Sequence, residues 1–346
     1  MADLITLTLG TAALDAELVG LIEYFELVEA IDTLDAVVVR FDVPPGTALT
    51  TLLGKVKVGQ VYKAVLTVGD GATIEAEGDI VDASFKWSRG GYWTVGFRGV
   101  ESLQRLRHAR TPTLWAGAPN TFFSTVAGDY GFTDGAQGVD GNLPFTLQAE
   151  ENDAQFLSRI GQNLNYALGV EAKKLLFARR HVAVGSQVTL DFDDQVTAID
   201  MNISVHGVVS KVTVVSEDYT KATPELIQGI ADAAKLQKIS GGDDAITLVS
   251  GLKAREVVLP NVGGGVQSWA DAIATGLLQQ AADSLVRGTI RCGPLVGARS
   301  GNLVKVDGAP WPLTGPFLIR QTRRVIHRQN HETEIEFMSD SLPTAT

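Results

Sequence analysis

The sequence is poor in the residues that most often carry covalent or metal chemistry. Its 346 residues include one cysteine, Cys292, and five histidines. A single cysteine excludes an intrachain disulfide and a cysteine-based metal cluster. No neighbouring residue gives Cys292 the character of a nucleophile, so we expect it to be a small apolar core residue.

Long apolar runs and an excess of basic charge are also missing. A membrane-spanning helix needs roughly 18 or more apolar residues in succession, and no such run occurs. The N-terminus lacks the basic segment and apolar run of a secretory signal. The formal net charge is −11, whereas binding DNA irrespective of sequence needs a basic stripe. We therefore predict no membrane segment, no specific nucleic-acid binding and synthesis in a cytoplasm.

Two groups of candidate metal ligands have simpler interpretations. His327 and His331 are four residues apart, but the local pattern is a β-turn and zinc normally takes three or four ligands. Asp191, Asp193 and Asp194 resemble calcium ligands, but the glycine and distal glutamate of a calcium loop are missing. We expect a solvated turn and a solvated strand end, and predict no metal and no cofactor.

The sequence patterns that indicate catalytic or nucleotide-binding residues are similarly weak. Glu150, Glu151 and Asp153 could form a pair of catalytic carboxylates, but acidic residues also favour the start of a helix, where the helix dipole stabilises them. Gly263–Gly265 is not followed by the Lys-Ser/Thr of a phosphate-binding loop. We therefore predict no catalytic residue.

What the sequence does contain is the alternation of apolar and polar residues typical of half-buried strands. Trp93, Val95 and Phe97 share one face of such a segment. Thirteen segments of this kind are predicted, bounded by glycine, proline, asparagine and aspartate: Ile22–Ala30, Ala36–Val43, Lys55–Lys63, Ala64–Val68, Thr73–Trp87, Tyr92–Val100, Leu175–Ala178, Val188–Phe192, Val205–Val215, Thr289–Cys292, Leu303–Val306, Phe317–His327 and Glu332–Met338.

Helices are predicted between these strands. Asn152 can cap one helix, and Ser268 can cap another, with Asp271 three residues further on. Three further helices are predicted over Val100–His108, Asn120–Tyr130 and Pro224–Leu236. The glycine-rich segments 241–244 and 263–265 are expected to be flexible joints.

Two predicted hairpins resemble each other and suggest an internal duplication of one β unit. Each has a long strand, a turn containing an arginine, an alternating strand and a closing Ser-Leu, Ser102-Leu103 in one and Ser341-Leu342 in the other. In this interpretation the positions of Trp93, Val95 and Phe97 are taken by Thr333, Ile335 and Phe337.

The second hairpin carries the one basic cluster of the chain, which consists of Arg320, Arg323, Arg324 and Arg328. Glu332, Glu334 and Glu336 lie on the facing strand. Opposite charges across two strands each contribute only about 0.2–1 kcal/mol, so a charge-laced outer face is the simpler interpretation. A contact with an acidic partner subunit is the alternative.

Two segments resemble the phage late control D family, which includes the baseplate hub of contractile phage tails and the N-terminal part of the VgrG spike. The first contains "GNLVKVDG" and "WPLTGPFLIRQTRRVIHRQNHETEIEF", and the second is "EENDAQFLSRIGQNLNYALGVEAKKLLFA". The second departs from the family pattern at Ala154 and Asn165. The matching positions are Asp153, Phe156, Leu157, Arg159, Tyr166, Leu175 and Phe177.

The resemblance implies a mainly β chain with α+β insertions, in which two tail-tube-like β-barrels accompany smaller helical and αβ domains. The implied domains are residues 1–108 (first barrel), 109–186 (α+β) and 187–346 (second barrel, with a helical or flexible insertion at about 220–284). A homotrimer would present six barrels to a hexameric inner tube protein and would bind a separate trimeric spike protein and other baseplate subunits. Synthesis would take place in a bacterial cytoplasm, before assembly into a tail or an extracellular injection particle.

The expected function is thus a non-enzymatic structural hub. The alternatives are a tail-associated peptidoglycan or glycan hydrolase and a carbohydrate-binding tail protein. The sequence does not distinguish a phage tail, a tailocin, an extracellular injection system and a type VI apparatus. It does not identify lumen-facing residues, the contacts with tube or spike, or the role of residues 220–266.

Overall fold

The computed structural model describes residues 4–31, 33–68, 72–89, 91–107, 112–136, 138–139, 141–171, 173–180, 187–218, 221–223, 225–250, 255–260, 265–327 and 330–344. The protein is mainly β, with several sheets and a few helices. A 13-stranded sheet contains two β units, each with its own apolar core, and three smaller sheets belong to an α+β body.

The first β unit is formed by the N-terminal third of the chain. Its core includes Leu7, Phe25, Phe41, Leu66 and Phe97, which come from five different strands. Its elements are β1 (Leu4–Leu9), β2 (Ala12–Ala13), α1 (Ala16–Val19), β3 (Ile22–Ala30), β4 (Ala36–Val43), α2 (Thr47–Lys55), β5 (Val61–Thr67), β6 (Thr73–Trp87) and β7 (Trp93–Glu101).

The α+β body follows, and it takes its core from two separate parts of the chain. The first part begins with a 3₁₀ helix (Ser102–Arg107) and continues through β8 (Thr113–Gly117), α3 (Pro119–Asp129), β9 (Thr133–Ala136), β10 (Leu143–Gln148), α4 (Asp153–Leu164), β11 (Tyr166–Glu171) and β12 (Lys174–Arg179). Within it, β8 pairs with β10, and β9, β12 and β11 form a three-stranded sheet.

The second β unit begins with β13 (Gln187–Asp191) and β14 (Val196–Ile203), and an insertion then returns to the α+β body. The insertion contains β15 (Lys211–Asp218), β16 (Glu225–Ala231), a 3₁₀ turn (Ala233–Lys235), α5 (Ala245–Ser250), β17 (Glu256–Pro260) and α6 (Gln267–Ala282). Trp269 and Ile273 of α6 pack in the same core as Phe156 of α4. The unit is completed by β18 (Val286–Cys292), β19 (Leu303–Asp307), β20 (Phe317–His327) and β21 (Asn330–Ser339).

The two β units share strand order and direction. Across the sheet, β3-β4-β7-β6-β5 corresponds to β14-β18-β21-β20-β19, and the chain passes through the two sets in the same sequence. Every neighbouring pair in both sets is antiparallel. The strand beyond differs, because β1 is antiparallel to β5 whereas β13 is parallel to β19.

Two register shifts also recur at equivalent positions. One lies between Ile22 and Tyr24 of β3, and its counterpart lies between Val196 and Ala198 of β14. The other separates residues 80 and 82 of β6, and its counterpart separates residues 319 and 321 of β20. A β-bulge bends its strand at a defined residue. Two recurring bulges in one strand order therefore support the predicted duplication.

Anchoring the two units on these bulges gives a residue-by-residue correspondence. Phe97 becomes equivalent to Ile335, since both lie opposite the second residue after the bulge. The sequence comparison had paired Phe97 with Phe337, which is two residues away on the same face. The predicted division into residues 1–108, 109–186 and 187–346 stays a prediction.

Two predicted helix features are wrong. The segment predicted as a helix over Pro224–Leu236 contains strand β16, whose residues alternate between buried and exposed, and Pro224 itself lies outside the described residues. Gly229 of this strand lies directly against the backbone of Ala270, where a side chain would not fit. Helix α6 has Val266 rather than Ser268 at its N-cap, and the Ser268 hydroxyl oxygen instead accepts a hydrogen bond from Asn142 N (3.1 Å).

Several strand and helix bounds also differ from prediction. The segment Lys55–Lys63 is not a strand, because helix α2 ends at Lys55 and β5 begins at Val61. Of the strand predicted over Val205–Val215, only the part from Lys211 onward is a strand, the start of β15, and residues 205–210 are not. In contrast, β3, β4, β6 and β20 have the predicted bounds, and Asn152 caps α4 in a reciprocal capping box with Gln155.

Candidate assembly interface

The two β units are joined by a strand pair. Residues Gln321–His327 of β20 lie antiparallel to Ala30–Tyr24 of β3. We call this pair the internal seam. It makes one continuous sheet out of two units that otherwise have separate cores.

A fully buried arginine lies at the centre of the internal seam. Arg324 has no exposed surface, and its guanidinium donates to Glu29 and to the carbonyl oxygens of Ala298 and Leu295. Glu29 also accepts a hydrogen bond from Arg299 Nε (2.9 Å). The carboxylate of the first unit is thus bound by two arginines of the second unit. A buried charge requires such pairing because desolvation alone is costly.

A second ion pair crosses the seam at its surface. Arg323 Nε lies 2.6 Å from Glu26 Oε1, and the Arg323 side chain is 41% exposed. The inner pair has a signal in the sequence, because Glu29 is in phase with the buried residues Phe25 and Leu27. A charged residue on the apolar face of a strand needs a buried partner.

Two further carboxylates lie beneath the seam, where the first unit meets the α+β body. Glu101 accepts hydrogen bonds from the backbone amides of Asp35 (3.3 Å) and Val170. Burial raises the pKa of Glu101 to about 7. Burial, and then the charges of Glu101 and Glu29, raise the pKa of Asp35 well above its usual range.

The predicted arginine cluster is divided between two environments. Arg324 is buried within the chain, whereas the side chains of Arg323 and Arg320 are partly exposed, with Arg320 Nη1 4.0 Å from Glu336 Oε2. Arg328 lies outside the described residues. A contact between a partner subunit and the exposed arginines stays a prediction.

Two strand edges of the large sheet are open. Over Asp82–Trp87, β6 pairs with β7 on one side, and no strand among the described residues pairs with its other side. Likewise β14 pairs with β18 alone within the described part of the chain. Large apolar side chains are exposed at both edges: Phe85 by 48%, Trp87 by 57% and Ile203 by 41%. Open edges of this kind readily pair with another chain.

The predicted histidine pair does not converge. His327 lies opposite Asn330, and His331 lies opposite Ile326. Since adjacent residues of a strand point to opposite faces, the two imidazoles are on different faces of the sheet. No group of three or more potential metal ligands occurs in the described ranges.

The acidic candidates are engaged in local structure. Asp191 Oδ1 accepts hydrogen bonds from the amides of Asp193 (3.0 Å) and Asp194 (3.1 Å), which closes a turn after β13. Glu151 binds Arg159 (3.0 Å). Asp153 accepts hydrogen bonds from Gln148 Nε2 and from the Tyr130 hydroxyl, each at 2.6 Å.

The remaining candidates also have structural surroundings. Cys292 is 3% exposed in the core of the second unit, and burial raises the pKa of its thiol to about 11. Gly263 and Gly264 lie outside the described residues, while Gly265 N donates to Ser216 Oγ (3.2 Å). Within the described segments, no helix is both long and apolar enough to cross a membrane.

Solved structures with the same architecture are phage tail and type VI secretion proteins. The 43 kDa tail protein of prophage MuSo2 from Shewanella oneidensis superposes with a TM-score of 0.67 at 14% identity, covering 97% of this chain and 98% of that one. The fold is that of a tail protein. A tail protein from Neisseria meningitidis MC58 gives a TM-score of 0.65 at 12% identity, with 98% and 97% coverage.

The tail-protein fold extends to secretion machinery. The E. coli c3393 protein is described as a type VI secretion component with structural similarity to the T4 tail proteins gp27 and gp5. It gives a TM-score of 0.60 at 11% identity, covering 99% of this chain and 77% of that one. No family model and no curated protein matches the chain by sequence. The chain has the fold shared by these phage tail and type VI secretion proteins, in agreement with the resemblance.

Proposed function

We propose that this tail-fold protein is a structural baseplate hub of a contractile injection machine. Three copies form a ring that adapts a hexameric inner tube to a separate trimeric spike, and other baseplate subunits surround it. The observation that carries the proposal is the duplicated β unit, with two bulges at equivalent residues. The similarity to tail and type VI structures supports it.

The physical argument is one of symmetry. A chain that presents the same β unit twice offers nearly equivalent surfaces at two positions around an axis, so three chains can imitate six subunits. The acidic net charge of −11 suits a lumen that should not retain nucleic acid. The same reasoning applies to a phage tail, a tailocin or an extracellular injection particle, and assembly in a bacterial cytoplasm precedes release.

The experiment is a mass measurement of the purified chain over a range of concentrations. Light scattering coupled to size exclusion should give a species of three times 36.8 kDa, about 110 kDa. Electron micrographs of that species should show a ring with a central opening and pseudo-sixfold averages. A chain that stays monomeric at every concentration, or that forms dimers or tetramers, contradicts the proposed hub.

We also infer that the chain acts without hydrolysis. The three candidate catalytic carboxylates, Glu150, Glu151 and Asp153, lie at the start of α4, where Glu151 binds Arg159, and Asp153 accepts hydrogen bonds from Gln148 and Tyr130. Purified protein should leave a peptidoglycan suspension uncleared. Clearing that disappears in the Glu151→Gln or Asp153→Asn variant would contradict this inference.

A further inference from the structure

We propose that the open edge of β6 pairs with the open edge of β14 of a second copy of this chain, in a single antiparallel register. In that register Phe85 lies opposite Met201, and Lys86 lies opposite Asp200. The inference rests on the proposed ring. It goes further by naming the two edges, their direction and the residues that meet, which we call the external seam.

The register follows from the internal seam and the shared bulges. The bulge follows Ile22 in β3 and Val196 in β14. Leu27 lies five residues after Ile22, and Met201 lies five residues after Val196. Arg324 and Phe85 occupy the same position after the bulges of β20 and β6. Arg324 lies opposite Leu27 in the internal seam. The equivalent residues, Phe85 and Met201, are therefore placed opposite each other in the external seam.

This register brings together side chains of matching character. On one face the strands place apolar residues against apolar residues: Ala83 with Ile203, Phe85 with Met201 and Trp87 with Ile199. On the other face they place polar residues against polar residues: Ser84 with Asn202 and Lys86 with Asp200. The pairings were derived from backbone register alone, so this agreement of all five pairs is independent support.

Neighbouring registers lack this agreement. A slip by one residue places Lys86 opposite Met201 and Trp87 opposite Asp200. It also moves the apolar set of one strand to the face that carries the polar set of the other, which is why register is strongly specified wherever one face is buried. The two edges are complementary to each other but not to themselves. Pairing of β6 with a second β6 brings Lys86 close to another lysine, and pairing of β14 with a second β14 brings Asp200 close to another aspartate.

The occupant of each edge is a second copy rather than another part of the same chain. In the order of the sheet, six strands separate β14 from β6, and the internal seam lies among them. A head-to-tail contact between two different surfaces is heterologous, and it closes into a ring when the rotation permits. Alternating internal and external seams then continue the sheet around that ring. The contact buries the side chains of Phe85 and Trp87.

The test is disulfide trapping with paired cysteines in the full chain. Ser84 and Asn202 are exposed, so replacing both with cysteine leaves the fold intact. Under mild oxidation, the Ser84→Cys/Asn202→Cys variant should give covalent dimers and trimers on a non-reducing gel. Cys292 does not interfere, because a buried thiol with a raised pKa is inert.

Matched controls define the register and the pairing mode. In the Ser84→Cys/Asp200→Cys variant the cysteines are diagonal neighbours, whose Cα atoms lie about 7–8 Å apart, beyond the usual reach of a disulfide. It should crosslink far less. The single variants Ser84→Cys and Asn202→Cys should give no covalent dimer. A dimer from either one indicates edge pairing of a strand with its own copy and overturns the proposal.

A second experiment perturbs the contact without introducing cysteine. Phe85→Asp places a charge in the external seam, whereas Tyr92→Asp changes an equally exposed aromatic residue (56%) at the tip of the same hairpin. Phe85→Asp should raise the concentration at which the ring half-assembles by about tenfold or more, and Tyr92→Asp should leave it unchanged. Equal effects of the two substitutions overturn the proposal.

The outcomes separate the external seam from the hub itself. A trimer by mass that crosslinks in the predicted pair supports both. A trimer that crosslinks better in the diagonal pair, or in neither, overturns the external seam and leaves the ring standing. A chain that is monomeric throughout overturns both.

Discussion

The buried ion pair of the internal seam gives a sharp prediction about stability. Replacing Glu29 with glutamine removes one charge and keeps the shape of the side chain. Arg324 then remains as an uncompensated buried charge, since its side chain has no exposed surface. Removing one partner of a buried pair costs about 3–5 kcal/mol. We expect the lower end, about 3 kcal/mol, because the glutamine oxygen can still accept one hydrogen bond.

Glu26→Gln is the matched control. It is the same chemical change in the same strand, and Glu26 is also ion-paired with an arginine of β20, but Arg323 is 41% exposed. An exposed ion pair contributes about 0.2–1 kcal/mol. The loss of unfolding free energy should therefore be at least about threefold larger in Glu29→Gln than in Glu26→Gln. Added salt should weaken the contribution of Glu26 and leave that of Glu29 largely unchanged, because buried pairs are screened much less.

The assay is urea unfolding followed by circular dichroism, with the free energy of unfolding obtained by linear extrapolation. The double variant Glu29→Gln/Arg324→Gln should be more stable than Glu29→Gln alone, since it no longer buries an unpaired charge. If Glu29→Gln and Glu26→Gln lower the free energy of unfolding equally, the buried pair does not stabilise the seam as argued.

Three further predictions concern other parts of the chain. Asn152→Ala removes the α4 cap and should lower the free energy of unfolding by about 1 kcal/mol, whereas Ser158→Ala on the exposed face of α4 should change it little. A cap effect no larger than that of Ser158→Ala contradicts the capping box. Gly276→Ala should destabilise by about 1–3 kcal/mol, because a Cβ would lie 2.5 Å from the Leu164 carbonyl carbon, whereas Gly128→Ala, with open space around it, should stabilise by up to about 1 kcal/mol. Equal effects of these two substitutions on the melting temperature would exclude close packing of α6 on α4. Burial raises the pKa of Asp283 to about 7, above its unfolded value, so its contribution is present at low pH and is lost as pH rises through 7. Urea titrations from pH 5 to 8 should show stability falling on the order of 2 kcal/mol from this group, and the fall should be smaller in Asp283→Asn. A fall of equal size in both proteins would contradict this assignment.

Strands with one apolar face were predictable from the sequence. In β4 the buried Val37, Val39, Phe41 and Val43 recur at every second position, and the predicted bounds of β3, β4 and β20 match the structure. The helix α4 was predictable for a similar reason, since its N-cap residue and its apolar stripe both indicate a helix that begins at the same place. In these segments the local pattern and the tertiary environment favour the same structure.

Segments whose structure depends on distant contacts were not predictable. The residues of β16 favour a helix by composition, but pairing with β15 and close packing of Gly229 on α6 impose a strand. The strand β14 alternates Ile199, Met201 and Ile203 with polar residues; Ile199 and Met201 pack against the core of the second β unit, whereas Ile203 is exposed. Its partner strand β18 begins only at Val286, so the local pattern did not predict this strand.

The candidate interface was predictable only in outline. The resemblance of the two hairpins suggested a duplication, but their residues differ too much to set the register. The bulges at residues 80–82 and 319–321 set it, because they anchor two unlike sequences to one backbone geometry. The role of Arg324 was hidden because its partner Glu29 lies almost 300 residues earlier in the chain.

The unequal connections within the two β units have a consequence for assembly geometry. Only five residues, 31–35, lie between β3 and β4, whereas residues 204–285 lie between the equivalent strands β14 and β18. In the proposed ring, each insertion marks every second sector of the circumference. A sixfold partner can bind the sheet surface that all six β units share, while a threefold partner can bind the three units that carry the insertion. In that ring, one chain would serve partners of two different symmetries.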